Sequence, residues 1–278
     1  MMKTCGNYGY KLSSNVLLSE IKDGANPQIA NLSNKRFALT TEPTNRRKIC
    51  TSTLKEITGE KTINARMAFS NQCSTRMCAS LFMECNRMPK LDEVGDSLVR
   101  RIRVIPFISS FKSAEEYEKT KDKTNVYIGN PKYKTDEFME KNRLVLFEIL
   151  APYCKKFIEN NMCLPETPQE CKRYTVDYLA RSDNIYEWIC ERYEVGTETD
   201  FVYVSDIHKL FTYSECYNTM TKEDKRNSTL KDFTEKIRTN VFLRDSFRER
   251  NGFVGKFRLM KPGIVGFKQL NQNKDENE

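Results

Sequence analysis

From residue 1 to about residue 107 the chain alternates short runs rich in β-branched and aromatic residues with segments of helical periodicity, and this alternation restricts the fold more than any other property of the sequence. Residues 37–41, 67–70, 79–85 and 102–107 read as strands. Residues 12–21 and 52–57 read as helices, the second closed by Thr58 and Gly59. Strands interleaved with helices pair in parallel and are covered on both faces, so the pattern predicts an α/β core with a buried sheet. A length of 278 residues allows a little under two domains, and 38% hydrophobic with 30% charged residues describes a chain that folds.

Beyond residue 108 the pattern changes. Residues 109–134 are polar, rich in Lys, Glu and Tyr, and carry a turn at Gly129, Asn130 and Pro131, so they read as a loop. A helix is predicted over 136–160, with Phe138, Leu144, Phe147, Ile149, Leu150, Tyr153 and Phe157 forming one broad covered face. Pro165 and Pro168 then break the chain and set a domain boundary. A helix with Tyr174, Tyr178, Ile185, Trp188 and Ile189 follows, split near Ser182 and Asp183. A strand at 201–204 leads to Ser205, read as an N-cap, and to a helix with Ile207, Leu210 and Phe211 on one face. A further helix from Thr229 spaces Leu230, Phe233, Ile237 and Val241 helically. Two strand-like runs, 253–260 and 264–268, are joined by Pro262 and Gly263. Helix, strand, helix, helix, hairpin is the order of a winged helix. The expected division is therefore an α/β part over 1–108, a loop and helical extension over 109–168, a winged-helix domain over 169–268 and a frayed polar tail over 269–278.

Several function classes are excluded. The longest apolar stretch, 144–151, is interrupted by Glu148 and is far too short to cross a bilayer, and Val16, Leu17 and Leu18 are too few for a secretory signal. Ten scattered cysteines, no CxxC pair and a single histidine, His208, predict free thiols in a reducing, intracellular compartment rather than a disulfide framework. Cys73, Cys78 and Cys85 have spacings unlike a zinc knuckle. His208 and Trp188 read as packing residues, and Met67, Met77, Met83 and Met88 as gap-filling core residues. The net charge of +8 is concentrated, since residues 221–268 hold 13 basic and 6 acidic side chains. Nucleic acid is the partner that such a stretch predicts.

Three segments carry chemistry. RFALTTEP at 36–43 is a strand with an acid, Glu42, at its C-terminal end, where ligands collect in parallel sheets. SLFMECN at 80–86 is a second strand, ending in Asn86. GDSLVRRIRVIPF at 95–107 sets Arg100 and Arg101 immediately before a third. An acid, an amide and an arginine pair at successive strand ends suit phosphoryl transfer, which needs water and metal positioning with cations on the developing charge.

The run from Asn31 to Phe107, through NLSNKRFALTTEP, ICTSTLKEITGEKTINARMAFSN and SLFMECNRMPKLDEVGDSLVRRIRVIPF, resembles the superfamily 3 helicases, above all the C-terminal part of the primase-helicases of large cytoplasmic DNA viruses and the related phage and plasmid primases. The resemblance covers most of the chain and implies a P-loop ATPase core of AAA+ type, a helical linker and a winged helix. It implies that Glu42 is the Walker B acid that holds magnesium and polarises the attacking water, with Thr41 in place of the usual neighbouring acid. Asn86 matches the sensor 1 asparagine, and Arg100 and Arg101 match the pair that supplies an arginine finger to the next subunit's nucleotide. The stretch from Lys55 to Arg66 resembles the DNA-tracking loop, so that Lys55, Lys61 and Arg66 would meet phosphates within a ring.

The sequence holds no GxxxxGK[ST], and GNYGYKLS at 6–13 has neither its spacing nor its Lys-Ser pair. In the family the phosphate-cradling loop precedes a segment like GNYGYKLSSNVLL, so the chain is expected to start just downstream of its P-loop, as a fragment without ATPase activity of its own. ATP and Mg²⁺ are then cofactors of the complete enzyme. A P-loop-bearing partner or a mixed ring completes the site, and a cytoplasmic virus factory is the expected location. On the C-terminal domain, Lys231, Lys236 and Arg238 lie off the apolar face of their helix, and Arg244, Arg248, Arg250, Lys256 and Arg258 continue the charge toward the wing, predicting salt-dependent, sequence-indifferent DNA binding. The alternative reading is a non-enzymatic DNA-binding or scaffold protein that acts through the winged helix alone.

Overall fold

β-branched and aromatic residues at 37–41 form a strand, Phe37–Thr41, at the centre of a parallel three-stranded sheet. Its neighbours are Gly9–Lys11 on one side and Ser80–Glu84 on the other. The computed structural model describes residues 1–22, 24–43, 47–69 and 74–270. It is a mixed α/β chain of small sheets that divides into two units, residues 1–90 with 101–175 and residues 91–100 with 176–278.

In the first unit Phe37, Ala38 and Thr40 are buried while Ser80–Glu84 alternates between half-buried and exposed, so the sheet is not covered on both faces as its sequence predicts. Beside it the Thr51–Gly59 helix buries Thr51, Thr53 and Ile57, the last two at four-residue spacing. It is tied down by Thr53 Oγ1, which donates to the Ser19 carbonyl at 2.7 Å. The helix expected over 12–21 is a single 3₁₀ segment, Ser14–Leu18, which packs Leu17 inward. Of the strand read at 67–70, Met67, Ala68 and Phe69 leave the ladder in a turn, and Ser70 lies outside the described residues.

The strand expected over 102–107 does not form. The segment is extended and buries alternate residues partly, yet Val104 donates its N–H to Thr175 Oγ1 at 2.9 Å instead of a ladder carbonyl, and Pro106 has no N–H to give. The polar stretch after it is more ordered than its composition suggests. Ser110–Lys112 pairs in parallel with Val126–Ile128, and between them Ser113 and Glu116 close a capping box on Ala114–Lys119. The 24-residue helix Asp136–Glu159 occupies the predicted span but buries no residue. Leu144 and Phe147 are 65% and 64% exposed, and only Phe138, Asn142, Leu146 and Phe157 are half-buried, so the expected covered face is bare between its two end phenylalanines.

The second unit is built on one apolar cluster containing Trp188, Ile189, Ile207, Phe211, Phe233, Ile237, Phe247 and Ile264. Phe211 is its hub, with ring centroids 5.2 Å from Trp188 and 5.1 Å from Phe233. The predicted split near residue 183 is a true helix boundary between Gln169–Ser182 and Asn184–Cys190, capped by Asp183. Next come Phe201–Tyr203, the helices Val204–Thr212 and Leu230–Thr239, and a three-stranded antiparallel sheet that sets Gly263–Val265 between Phe201–Tyr203 and Phe247–Arg248. Thr229 caps its helix in a capping box with Asp232, as its position predicts. Ser205 does not cap: the helix begins one residue earlier, after Tyr203. Residues 253–260 are not one strand of a longer hairpin either. Phe253–Val254 folds back on Phe257–Arg258 through Gly255 and Lys256, while the run after Pro262 joins two other sheets. The tail beyond Leu270 lies outside the described residues.

Asp183 is the polar pin of this unit. Its Oδ1 accepts the N–H groups of Ile185 and Tyr186 at 3.0 and 2.9 Å, and its Oδ2 accepts the Asn240 amide at 2.7 Å. Burial is the larger influence on its pKa and raises it, against the lowering effect of these hydrogen bonds. Asp183→Ala removes a helix cap and leaves a buried amide unpaired, and should cost about 2 kcal/mol in urea unfolding. Because the folded-state pKa is raised, the protonated Asp183 contributes stability that is fully present below the ordinary value of 3.8 and is lost as pH rises through the higher native value. The stability of the wild type relative to Asp183→Asn should therefore fall over that interval, which urea titrations at several pH values measure.

Candidate functional site

The parallel register places Thr41 opposite Glu84, so the next residues of both strands emerge at the same end of the sheet. There Glu42 donates its N–H to the Glu84 carbonyl at 3.0 Å, extending the ladder by one bond. Its side chain turns back across the gap: Oε2 accepts the backbone N–H groups of Asn86 and Arg87, each at 3.1 Å. Two convergent amides form a small anion nest, here filled by the protein's own carboxylate. Glu42 is half-buried and Asn86 exposed, so the acid is fixed while the asparagine side chain meets solvent. Cys85, between the two strand ends, has its thiol pKa pushed up, first by burial and then by the Glu42 charge. Sequence reasoning gave Arg87 no role and weighed Cys85 only against a zinc spacing that it does not fit.

The remaining predicted residues sit elsewhere. Arg100 and Arg101 end the short helix Asp96–Arg101 and are exposed. The guanidinium of Arg101 rests against Gly59, where a Cβ would lie only 2.7 Å from Nη2. That puts its charge at the C-terminal end of Thr51–Gly59, the end that favours a cation. Lys55, Lys61 and Arg66 lie on a helix, in a bend and on a strand respectively. Lys55 is half-buried on the Thr51–Gly59 helix, and Lys61 is exposed just before Thr62–Ile63. Arg66 lies in Ala65–Arg66, which pairs in parallel with Gly24–Ala25. The hairpin in this region is formed by Thr62–Ile63 with Thr75–Arg76, and the described part of its arm ends in Phe69, which is 104% exposed with φ at +62°. The sequence reading gave this aromatic no role.

On the second unit Lys231, Lys236 and Arg238 are all exposed on Leu230–Thr239, and Arg238 shares its charge between Glu235 at 3.4 Å and Glu249 at 3.5 Å. Lys256 is at the turn of the small hairpin and Arg258 on its second strand, both exposed. Two cations of the same stretch are engaged internally: Arg244 pairs with Asp96 at 2.6 Å, and Arg248 Nη1 donates to the carbonyls of Asp245 and Phe247. His208 is a packing residue, with Nε2 2.9 Å from the Ser228 carbonyl and its ring 5.1 Å from Phe233. A groove of about 590 Å³ along Asp136–Glu159, lined by Phe147, Leu150, Ala151, Cys154 and Ile158, shares no residue with any of these groups. Among the described residues no three His, Cys, Asp or Glu side chains gather as a metal site. Among the described residues no helix is long and apolar enough to cross a membrane.

The class of protein that this chain is similar to is viral primases and helicases. No family model matches it. Among individual proteins, it is 26% identical over 182 residues to "Uncoating factor OPG117" of Monkeypox virus, covering 59% of this chain and 22% of that protein. It is 26% identical over 162 residues to "Primase D5" of Fowlpox virus (strain NVSL), covering 56% and 20%. A third relative, "Putative helicase L207/L206" of Acanthamoeba polyphaga mimivirus, is 25% identical over 212 residues, covering 74% and 20%. The chain thus spans about a fifth of the length of the relatives it matches, and its resemblance to viral primase-helicases extends over more than half of its own residues.

The nest makes a local prediction. Glu42→Ala deprives two backbone donors of a charged acceptor worth about 1.5–3 kcal/mol, so amide exchange at Asn86 and Arg87 should accelerate by about ten-fold or more. Glu42→Gln retains a carbonyl acceptor and should leave exchange nearly unchanged. Hydrogen-exchange mass spectrometry on the 80–88 segment reads both outcomes.

Proposed function

We propose that this chain carries part of the catalytic apparatus and the DNA-binding unit of a viral-type superfamily 3 replicative helicase, an ATP-hydrolysing enzyme that works as a ring. The observation that carries the reading is the juxtaposition of Glu42 and Asn86 at the ends of adjacent parallel strands, with the Glu42 carboxylate locked on the Asn86 amide. The similarity to viral primases and helicases supports it. In this reading residues 1–108 are ATPase core, 109–168 a helical linker and 169–268 a winged helix, the last supported by the order of helices and antiparallel strands around Phe211.

ATP with Mg²⁺ supplies the electrophilic phosphoryl group when bound. With no cluster of three or more His, Cys, Asp or Glu side chains among the described residues, Glu42 fits a magnesium ion held largely by nucleotide phosphates and water, and does not fit a protein-only cage. Glu42 would hold that ion and orient the attacking water, with one oxygen fixed by the two amides so that the carboxylate needs no reorganisation. Asn86 would present its exposed amide to water or phosphate. Arg100 or Arg101 would act on the nucleotide of a neighbouring subunit, and Lys55, Lys61 and Arg66 on DNA phosphates within the ring. Since the 278 residues hold no GxxxxGK[ST], the phosphate cradle must come from another polypeptide segment.

The test is an ATPase assay. The chain alone should hydrolyse no ATP above background, and assembly with a polypeptide that supplies the P-loop should give magnesium-dependent turnover. Glu42→Gln in this chain should then lower kcat by about 100-fold or more with little change in KM. Turnover by the isolated chain that survives Glu42→Gln, or a mixed assembly indifferent to it, refutes the catalytic reading.

A second reading, a non-enzymatic DNA-binding or scaffold protein, is favoured by one observation: the core cluster around Phe211 and the residues packed on it fall within residues 185–267 and include no residue of the Glu42 site. Both readings predict DNA binding through Lys231, Lys236, Arg238, Lys256 and Arg258. Replacing Lys231 and Lys236 with alanine should weaken binding alike across sequences and reduce the slope of log affinity against log salt by about 2. An unchanged slope, read from anisotropy titrations at several salt concentrations, argues against phosphate contacts at that helix.

A further inference from the structure

The small hairpin of the second unit exposes more aromatic surface than its fold requires. Val254 and Leu259 anchor it, being 2% and 0% exposed, and the backbone bonds from Asn251 N–H to the Leu259 carbonyl and from Leu259 N–H to the Gly252 carbonyl close its base. Phe253 and Phe257 nevertheless remain 65% and 67% exposed. Phe253 stands directly opposite Arg258 in the ladder, so an aromatic ring and a guanidinium share one face, while Phe257, opposite Val254, lies on the other, and Gly255 at φ +56° makes the tight turn that presents Lys256.

The surroundings distinguish this patch from an ordinary apolar docking face. Residues 248–261 contain five cations, Arg248, Arg250, Lys256, Arg258 and Lys261, and a single acid, Glu249, which pairs with Arg238. Exposed aromatic rings flanked by positive charge complement a polymer of flat rings joined by phosphates. Base faces are open to such rings only when the strand is unpaired, whereas backbone phosphates are available in either form.

We propose that this hairpin is a binding site for single-stranded nucleic acid, with a base stacked on Phe253 beside the Arg258 guanidinium, a second on Phe257 as the strand passes round the hairpin, and the phosphates on Lys256 and Arg258. The proposal rests on the DNA-binding reading of this unit and deepens it, because it assigns the hairpin to unpaired strand and leaves Lys231 and Lys236 as contacts indifferent to strand state.

Binding of the full 278-residue chain to fluorescein-labelled oligo(dT) and to a duplex of equal length, followed by anisotropy, tests it. The variant Phe253→Ala/Phe257→Ala should lose about ten-fold or more in affinity for oligo(dT) while duplex affinity changes by less than about two-fold, since base–aromatic stacking is the interaction removed. Both side chains are largely exposed, and an unchanged circular-dichroism melt establishes that the variant is folded. In a second measurement Phe253→Trp adds a fluorophore beyond Trp188, and its emission should be quenched by oligo(dT) and not by duplex. Equal losses on single strand and duplex, no loss on either, or no selective quenching would each overturn the stacking site while leaving DNA binding standing. If the wild type binds neither DNA form, the DNA-binding reading itself fails.

Discussion

The first unit depends on one parallel pairing. Five residues of Phe37–Thr41 are in register with Ser80–Glu84, and because both strands run the same way their following residues leave the sheet together. An antiparallel partner would have sent residue 86 to the opposite end. The pairing is then sealed by a side chain: Glu42 lends one oxygen to two amides of the neighbouring strand's exit loop, so the acid and the loop hold each other. Any chemistry at this end of the sheet starts from a carboxylate whose position was settled by backbone hydrogen bonds before any ligand arrives.

The second unit follows a different logic. Its stability comes from an aromatic centre in which Phe211 touches Trp188, Phe233 and Tyr217, with Asp183 and Asn240 as the buried polar tie. Helical spacing directs Phe233 and Ile237 inward, which obliges Lys231, Lys236 and Arg238 on the same ten residues to face outward. The positive surface is therefore a by-product of how the core is packed, and it is rigid because that core is.

What the sequence made legible was local. The strand at 37–41 coincides with its reading, and so do the break near Asp183 and the helix start at Thr229, although the capping role of both side chains came from the structure and the one cap read from the sequence, Ser205, does not form. Glu42 and Asn86 were recognised as strand-end residues, and the register brings them together as such positions should be. Other expectations failed where partners decide. Residues 102–107 have a strand's composition, but Val104 bonds a threonine hydroxyl and Pro106 offers no donor, so periodicity without a ladder partner yields only extended chain. The helix 136–159 has the apolar residues of a core helix and stays uncovered, because periodicity reports which face is apolar and is silent on what lies against it. At 253–260 an eight-residue run concealed a turn, since one glycine with positive φ is enough to fold it in half.

Gly59 has a role that its place at a helix end would not suggest. The absent side chain leaves the space into which the tip of Arg101 settles. A methyl group there would evict the guanidinium, yet the helix itself would gain from the exchange, because glycine is a poor helix former. Local helix preference and the seating of a distant cation thus pull this position in opposite directions. Drift at residue 59 would therefore register first as a relocated positive charge, in a backbone that keeps its shape.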